Sequence, residues 1–388
     1  KIKWENWPWD QLNAMVISPG IPHLHPTPHP AAEIARSKSV EIISEVEVAL
    51  RAKPKAKHIA ITGTNGKSTT TALLGHALEI AGIKTAVGGN IGDPVCSLTD
   101  PGHNGMIVLE LSSYQLETTP SIAPHISILL NISPDHLERH GGMRGYVASK
   151  ETIIKKTREN GVAIVGIGDN FTKNIAKSAR NRGILVLDAN PAIAAKSLQE
   201  SIVLAGNHNA ENVAAVSQAL NFIGVDGRVL SQALRSYRSL PHRFETVARC
   251  GKIRFINDSK ATNGSAAARA LEALPNVYWI AGGLAKRDGI QATLPFLSTV
   301  KKAYLIGSAA NDFAEHLSGK CFLTVSKTLK NATISAFKDA SAAPEGGTIL
   351  LSPAAASFDQ FKNFAARGKT FSSIARELCS EHMEAGHA

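Results

Sequence analysis

A glycine-rich segment near residue 65 carries the side chains best suited to chemistry in this sequence. An apolar run over residues 58–62 leads into Gly63, Thr64, Asn65, Gly66, Lys67, Ser68, Thr69 and Thr70. Glycine lets the backbone approach phosphate oxygens closely, and a helix that begins here directs free N–H groups and its positive dipole end at an anion. Lys67 can contact β- and γ-phosphates, while the Ser68 hydroxyl suits the oxygen shell of Mg²⁺. The segment therefore predicts a loop that binds nucleotide phosphates.

The spacing of this loop departs from the usual phosphate-binding motif. That motif has its first glycine five residues before the Gly-Lys pair, where this chain has Ile61, and the nearest glycine is Gly63. The alternative is a glycine-rich turn between a strand and a helix that binds no ligand. The Lys-Ser pair at the start of a predicted helix favours phosphate binding.

Two other apolar runs end in polar side chains that could bind a metal ion. Residues 106–109 lead directly into Glu110, and residues 126–130 are followed by Asp135 and His136. The carboxyl ends of parallel strands face the ligand crevice of a sheet. Glu110 is therefore predicted to hold a metal ion, directly or through water, and His136 to bind a metal or orient a carboxylate. The alternatives are a solvated Glu110 and a structural His136.

The elements that must position these residues alternate between strands and helices. Apolar strand-like runs lie at residues 58–62, 85–87, 106–109, 126–130, 162–167 and 184–187, and a second series lies at 253–257, 277–281, 303–306 and 348–351. Helices between buried strands are typical of an α/β fold with mostly parallel sheets. Residues 68–81 are predicted to form a helix that ends before Gly82. Residues 16–21 are predicted to form a strand that ends in a turn.

Local composition divides this alternation into parts. The Lys- and Pro-rich stretch at residues 52–57 is a linker candidate, and a second alternation begins after Leu240 and Pro241. We therefore expect three domains, at residues 1–50, 51–239 and 240–388.

Composition indicates a globular protein whose positive charge is either solvated lysine on its surface or an attraction for anions such as phosphates. Its 388 residues carry a net charge of +10 and are 44% apolar, and no apolar run approaches the roughly 18 residues of a membrane span. The basic residues are dispersed and only 5% of residues are aromatic, so phosphorylated small ligands are favoured over nucleic acid. None of the four cysteines forms a Cys-x-x-Cys pair, which indicates reduced thiols in a cytoplasm. The first residues show no signal peptide.

Several segments together resemble the Mur ligases, ATP-dependent amide-bond ligases that build the peptidoglycan precursor in the cytoplasm. The resemblance lies in residues 62–70, 109–117, 131–136, 205–212 and 240–245. Residues 257–263 and 351–361 are similar to the member that adds D-glutamate. The resemblance implies a partial Rossmann-like N-terminal domain, a central parallel-sheet ATPase domain of the P-loop type and a C-terminal Rossmann-like α/β domain. The family's first domain begins well before the segment at residues 16–21, so we expect the N-terminal part here to be incomplete.

The resemblance implies a two-step reaction. ATP phosphorylates the terminal carboxylate of UDP-N-acetylmuramoyl-L-alanine, and the amine of D-glutamate then attacks the acyl phosphate. His136, Lys150 and Lys260 are the implied catalytic residues. Two Mg²⁺ ions are implied, one near Ser68 and Glu110 and one near His136 and Lys150.

Lys150 carries a further expectation. By itself it would be interpreted as a surface lysine on a predicted helix, but the family carbamylates the matching lysine with CO₂. Carbamylation requires a neutral amine, so the pKa of Lys150 should lie well below the usual value of about 10.4.

The resemblance also assigns binding residues. ATP is expected to contact the loop from Gly63 to Thr70 and, in addition, Asn209, Asn212, Arg243 and Asp258, and so to bridge the second and third domains. The UDP-linked substrate is expected to contact Ser18, Pro19, Gly20, Asn90 and Ser112. D-Glutamate is expected to contact Lys260, Thr262, Lys286, Ser357, Phe358 and Phe364. We expect a monomer that binds no nucleic acid and has no membrane span.

Three other functions are less consistent with the sequence. A Rossmann-type dehydrogenase should show Gly-x-Gly-x-x-Gly, whereas Lys67 favours phosphates over a dinucleotide. A nucleic-acid-dependent ATPase should show a basic stripe, which this sequence lacks. A folylpolyglutamate synthase is disfavoured by residues 259–263.

Overall fold

The computed structural model describes residues 3–52, 54–199, 204, 207–238, 240–285 and 289–385. The chain divides into two compact units, Lys1–Tyr237 and Arg238–Ala388. Among the described residues, no helix combines the length and apolar character needed to cross a membrane.

The first unit begins with a small two-stranded parallel sheet. Its elements are β1 (Ala14–Val16), α1 (Pro30–Ser37), β2 (Glu41–Ile43) and α2 (Glu45–Arg51). Helix α1 starts at Pro30, where the missing N–H costs nothing, and the side chain of His29 caps it by accepting the N–H of Ala31. The predicted strand at residues 16–21 is wrong in its extent. The strand ends at Val16, and residues 18–21 form a turn because proline and glycine follow Ser18.

The rest of the first unit is a six-stranded sheet, entirely parallel, with the strand order β4-β5-β3-β6-β7-β8. Its strands are β3 (Lys57–Thr62), β4 (Thr85–Gly89), β5 (Met106–Glu110), β6 (Ile126–Leu129), β7 (Val162–Gly166) and β8 (Val186–Ala189). Its helices are α3 (Lys67–Ile80), α4 (Ser113–Glu117), α5 (Met143–Lys155), α6 (Asn170–Asn181), α7 (Pro191–Leu198), α8 (Asn207–Ile223) and α9 (Gly227–Ser236).

Strand β3 is the centre of this sheet, and it is apolar because both of its faces are covered. Ile59 and Ile61 belong to a core that α3, α8 and α9 complete, whereas Ala60 belongs to the core under α2, α5 and α6. Ile61 pairs with Glu110 on β5, and Thr62 pairs with Leu129 on β6. The loops that follow these three strands therefore lie side by side.

The second unit is another six-stranded sheet covered by helices. Its elements are β9 (Glu245–Cys250), β10 (Ile253–Asn257), α10 (Gly264–Glu272), β11 (Val277–Gly282), β12 (Val300–Ile306), α11 (Ala310–Leu317), β13 (Leu323–Lys327), α12 (Leu329–Ala342), β14 (Gly347–Leu351) and α13 (Phe364–Ala385). The strand order is β13-β12-β11-β14-β10-β9, and only the edge strand β9 runs antiparallel to its neighbour. The buried Trp279 on β11 donates a hydrogen bond to the carbonyl oxygen of Ser352 at 2.8 Å, which fixes the turn after β14.

Candidate active site

The phosphate loop connects the end of β3 to the start of α3. Gly66 has a left-handed backbone with φ of +86°, and a side chain there would collide with the amide of Asn212. Gly63, with φ of +151°, lies against Leu130 and Asn131. Both glycines are therefore required by the conformation of the loop and by its close neighbours.

Hydrogen bonds to the end of β6 hold this loop in place. The N–H of Thr64 donates to the carbonyl oxygen of Asn131 at 2.7 Å, and the N–H of Asn65 donates to the side-chain oxygen of Asn131 at 2.9 Å. The Thr64 hydroxyl accepts the N–H of Ser133 at 3.0 Å and lies 3.0 Å from the hydroxyl of Tyr146. Asn131 and Tyr146 thus support the loop from two sides.

The loop brings together a cation, a hydroxyl and a carboxylate. The ammonium group of Lys67 donates to the carbonyl oxygens of Gly63 and Thr64, each at 2.9 Å. The Ser68 hydroxyl donates to one oxygen of the buried Glu110 carboxylate. The Asn90 amide donates to the other oxygen at 2.8 Å. Ser68 and Asn90 are therefore joined through the carboxylate of Glu110.

Lys150 is buried under the same loop. Its side chain, on α5, is only 1% exposed, and its ammonium group donates to the carbonyl oxygen of Gly63 at 2.8 Å. Burial lowers the pKa of Lys150 well below its usual value, and the charge of Lys67 lowers it further, while Asp135 and Glu110 act in the opposite direction. The interpretation of Lys150 as a surface lysine is excluded, and the low pKa agrees with the expectation of a neutral amine.

His136 lies in the turn after β6. Its backbone is left-handed, with φ of +54°. Its Nε2 atom lies 3.5 Å from a carboxylate oxygen of Asp135, and its ring centre lies 5.2 Å from that of Tyr114. The side chain is about one-third exposed, so it remains accessible to a ligand.

The residues around the loop fit Mg²⁺ through the chemistry of their donors. Hydroxyl and carboxylate oxygens, here those of Ser68 and Glu110, are ligands that Mg²⁺ prefers, and it completes its shell with water and substrate phosphates. Within the part of the chain that the structure describes, no group of three or more His, Cys, Asp or Glu side chains could hold a metal ion.

Other predicted site residues of the first unit occupy nearby turns. Ser18, Pro19 and Gly20 form the turn after β1. The Ser112 hydroxyl accepts the N–H of Gln115 at 3.2 Å in a capping box that starts α4. On α8, the Asn212 amide donates to the side-chain oxygen of Asn209 at 3.0 Å.

Asp258 is the most perturbed acid of the second unit. Its carboxylate accepts the N–H of Phe244 at 3.2 Å and the hydroxyl of Ser352 at 2.8 Å. Burial raises the pKa of Asp258 to about 7, although both hydrogen bonds and the charge of Arg243 lower it. Nearby, the ammonium group of Lys260 lies 4.1 Å from the centre of the Phe364 ring.

Arg367 fixes two turns of the second unit. It was not among the site residues predicted from the sequence. Its guanidinium donates to the carbonyl oxygens of Ser259 at 2.9 Å, Ala355 at 3.1 Å and Ala356 at 3.3 Å. These contacts hold the turn that carries Lys260 and Thr262 against the turn that carries Ser357 and Phe358. Ser357 is buried, whereas Phe358 is 70% exposed. Lys286 lies outside the described residues.

The chain is similar to known proteins both in sequence and in fold. The family described as "Mur ligase middle domain" matches residues 61–220. A UDP-N-acetylmuramoylalanine–D-glutamate ligase from Caulobacter vibrioides is 43% identical over 392 residues, which cover 94% of this chain and 83% of the relative. The ligase of the same name from Phenylobacterium zucineum is 41% identical over 406 residues, covering 97% and 87%. A crystal structure of a MurF ligase from Thermotoga maritima in complex with ADP has a TM-score of 0.63 at 17% identity, over 90% of this chain and 91% of that one.

The two sheets covered by helices, the phosphate loop and the sequence similarity to these ligases define an ATP-dependent ligase, and the chain belongs to the Mur ligase family. Within that family, its relatives at more than 40% identity place it among the UDP-N-acetylmuramoylalanine–D-glutamate ligases. The predictions of the fold class, the family and the ligase activity are confirmed. The domain boundaries and the roles of individual site residues remain predictions.

Proposed function

We propose that this chain joins D-glutamate to UDP-N-acetylmuramoyl-L-alanine in two steps. In the first, a terminal carboxylate oxygen of the UDP-linked substrate attacks the γ-phosphorus of ATP and ADP leaves. In the second, the nitrogen of D-glutamate attacks the acyl carbon, loses a proton, and phosphate leaves as the amide bond forms. The observation that carries the proposal is the convergence of Lys67, Ser68 and Glu110 at one phosphate loop, in a chain whose relatives carry this activity in their names.

The residues of the loop would act by position and charge. Phosphoryl transfer depends chiefly on alignment and on neutralising phosphate charge. Lys67 is placed to exchange its two carbonyl contacts for phosphate oxygens. Asn209, Asn212, Arg243 and Asp258 are the further nucleotide contacts that we propose.

The metal-binding residues would be Ser68 and Glu110 for one Mg²⁺ ion, and His136 with carbamylated Lys150 for a second. Bound Mg²⁺ would supply neutralisation of phosphate charge. Burial and Lys67 favour the neutral amine of Lys150, whose nitrogen can attack CO₂ and lose a proton to give a carbamate. The carbamate is an anion, so the buried neutral amine would become an anionic oxygen ligand.

D-Glutamate would bind to the turns that Arg367 holds in the second unit. Lys260 and Thr262 follow β10, and Ser357 and Phe358 follow β14. A cation and hydroxyl groups suit a substrate with two carboxylates. Phe364, against which Lys260 packs, and Lys286 complete the proposed set.

We place this reaction in the cytoplasm, because it consumes ATP. Asn90 and Ser112, together with Ser18, Pro19 and Gly20, are proposed to contact the UDP-linked substrate. We further propose that the active species is a monomer that needs no nucleic acid.

The proposal is tested by phosphate release from ATP in the presence of UDP-N-acetylmuramoyl-L-alanine and one amine at a time. We expect release with D-glutamate and at least a hundredfold less with L-glutamate, L-alanine or diaminopimelate. Glu110→Gln should remove this activity, whereas Glu79→Gln, an exposed change on α3, should preserve it. Phosphate release that is independent of D-glutamate would refute the proposed function.

A further inference from the structure

We propose that Arg139 is a positioning residue for the UDP-linked substrate. It would fix the substrate turn, defined here as residues 18–21, relative to the loop that carries His136. The inference rests on the proposed function, because it uses the expectation that Ser18, Pro19 and Gly20 contact this substrate.

The contacts of Arg139 join two segments that are far apart in the sequence. One guanidinium nitrogen donates to the carbonyl oxygen of Gly20 at 3.1 Å, and another donates to that of Pro19 at 3.2 Å. The backbone N–H of Arg139 donates to the carbonyl oxygen of His136 at 3.0 Å. One residue therefore links the substrate turn directly to the His136 loop.

The guanidinium is itself held in a fixed orientation. Its central carbon lies 4.4 Å from the centre of the Tyr114 ring, an arrangement that a planar cation adopts on an aromatic face. The Tyr114 ring also lies 5.2 Å from the ring of His136. Tyr114 thus sets the positions of Arg139 and His136 together, which makes the pair a rigid support.

The two hydrogen bonds from Arg139 to the Pro19 and Gly20 carbonyls fix the orientation of the peptide groups in the substrate turn. The N–H of Ile21 donates to the carbonyl oxygen of Ser18 at 3.0 Å within the turn. In a trans peptide, the N–H and the C=O point in opposite directions. Since the Pro19 carbonyl points at Arg139, the N–H of Gly20 points away from it. A backbone N–H held in this way is suited to an anionic group such as a diphosphate.

A neighbouring contact also joins this region but cannot replace Arg139. Glu117 lies 3.6 Å from the ring of His23 and 2.6 Å from the ring of His140. This contact holds the chain after the substrate turn, whereas Arg139 donates directly to the Pro19 and Gly20 carbonyls within the turn. Loss of the guanidinium should therefore loosen the turn without unfolding the unit.

The test compares Arg139→Gln and Arg139→Lys with the unaltered chain. Arg228→Gln is the control, because Arg228 is exposed and pairs with its near neighbour Asp226 at 2.8 Å. Steady-state kinetics give the KM for each substrate, calorimetry gives the affinity for UDP-N-acetylmuramoyl-L-alanine, and melting temperature reports folding.

We expect Arg139→Gln to raise both the KM and the Kd for the UDP-linked substrate about ten- to a hundredfold, since misplacement of a binding element has effects of this size. The KM values for ATP and D-glutamate and the kcat at saturation should change less than about twofold. The melting temperature should change by less than a few degrees. Arg139→Lys, which keeps the charge but loses the planar fork, should give an intermediate KM.

Unchanged KM and Kd for the UDP-linked substrate in Arg139→Gln would overturn the inference. Equal increases in all three KM values, or a large drop in melting temperature, would also overturn it, because they indicate a general structural role. An unaltered chain that binds the UDP-linked substrate but fails to release phosphate would refute the proposed function alone. The role of Arg139 would then still be tested by comparing the Kd of Arg139→Gln for this substrate with that of the unaltered chain. An unaltered chain that does not bind this substrate would overturn both.

Discussion

The ammonium group of Lys150 donates a hydrogen bond to the carbonyl oxygen of Gly63 at 2.8 Å, so a buried amine lies against the backbone of the phosphate loop. Burial and Lys67 lower the pKa of this amine. The local sequence alone would predict that Lys150 is a surface lysine. Its position next to the loop is what makes it a candidate for covalent modification.

Lys150→Ala is expected to lower kcat at least a hundredfold, because the proposed carbamate would be lost. Unaltered protein incubated with ¹³C-bicarbonate should show a carbamate resonance that the variant lacks, and a small carboxylate such as acetate should partly restore turnover. The control is Lys155→Ala on the same helix, since Lys155 is partly exposed and pairs with Glu151 at 2.8 Å. Normal turnover by Lys150→Ala would show that carbamylation has no role.

Lys67→Met is expected to lower kcat/KM for ATP by about two to three orders of magnitude, since a charged group aimed at transferring phosphate has effects of this size. The measurement is ADP formation at subsaturating ATP. Lys173→Met, an exposed change on α6, should behave like the unaltered chain. ATP use that survives in Lys67→Met would remove the phosphate-loop assignment.

Lys260→Met is expected to raise the KM for D-glutamate about ten- to a hundredfold, the range expected when a charged hydrogen bond worth about 1.5–3 kcal/mol is lost. The KM for the UDP-linked substrate should stay within about twofold. Lys252→Met is the matched control, because Lys252 is exposed and donates to the carbonyl oxygen of Pro344. A similar KM for D-glutamate in both variants would contradict the assignment of Lys260.

The first unit should lose stability in mild acid through His58. Burial, together with the charges of His125 and Arg158 and against the opposing charge of Asp100, lowers the pKa of His58 to about 4, while an unfolded histidine titrates near 6.5. The unfolded chain therefore binds more protons between these values. The free energy of unfolding should fall as the pH falls from about 6.5 to about 4, by up to about 1.4 kcal/mol per pH unit from this one site.

Urea unfolding between pH 4.5 and 7.5 checks this prediction. His58→Leu should show a weaker pH dependence, because the buried imidazole is removed. The exposed His103→Leu should keep the dependence of the unaltered chain. If His58→Leu and the unaltered chain lose stability in parallel, other groups cause the effect.

Much of the fold could be predicted from apolar periodicity, and the exceptions have physical causes. The runs that predicted β3, β5, β10 and β14 are buried on both faces, so they are continuous and apolar. No strand was predicted at β9 or β13, which form the two edges of the second sheet. Both are only partly buried, so their residues lack the pattern of a central strand.

The candidate site could be predicted only where side-chain type carries the information. Ser68 follows β3 and Glu110 ends the adjacent parallel strand β5, and the structure brings the two side chains together. A glutamine three residues after Ser112 is the spacing of a capping box, a signal that could have predicted the capping role of Ser112 but was not used. Arg139 and Arg367 could not be found in this way, because they bind backbone carbonyls of distant turns. Every residue has a backbone carbonyl, so the sequence does not indicate which carbonyls an arginine side chain binds.

The central claim is that a substrate carboxylate is activated as an acyl phosphate, and an isotope experiment tests it most directly. UDP-N-acetylmuramoyl-L-alanine labelled with ¹⁸O in its terminal carboxylate is incubated with this chain, ATP and D-glutamate, and the released phosphate is analysed by mass spectrometry. Because the leaving phosphate keeps the oxygen that attacked ATP, each phosphate should contain one ¹⁸O atom. Phosphate without ¹⁸O would show that ATP is hydrolysed by water and would contradict the account.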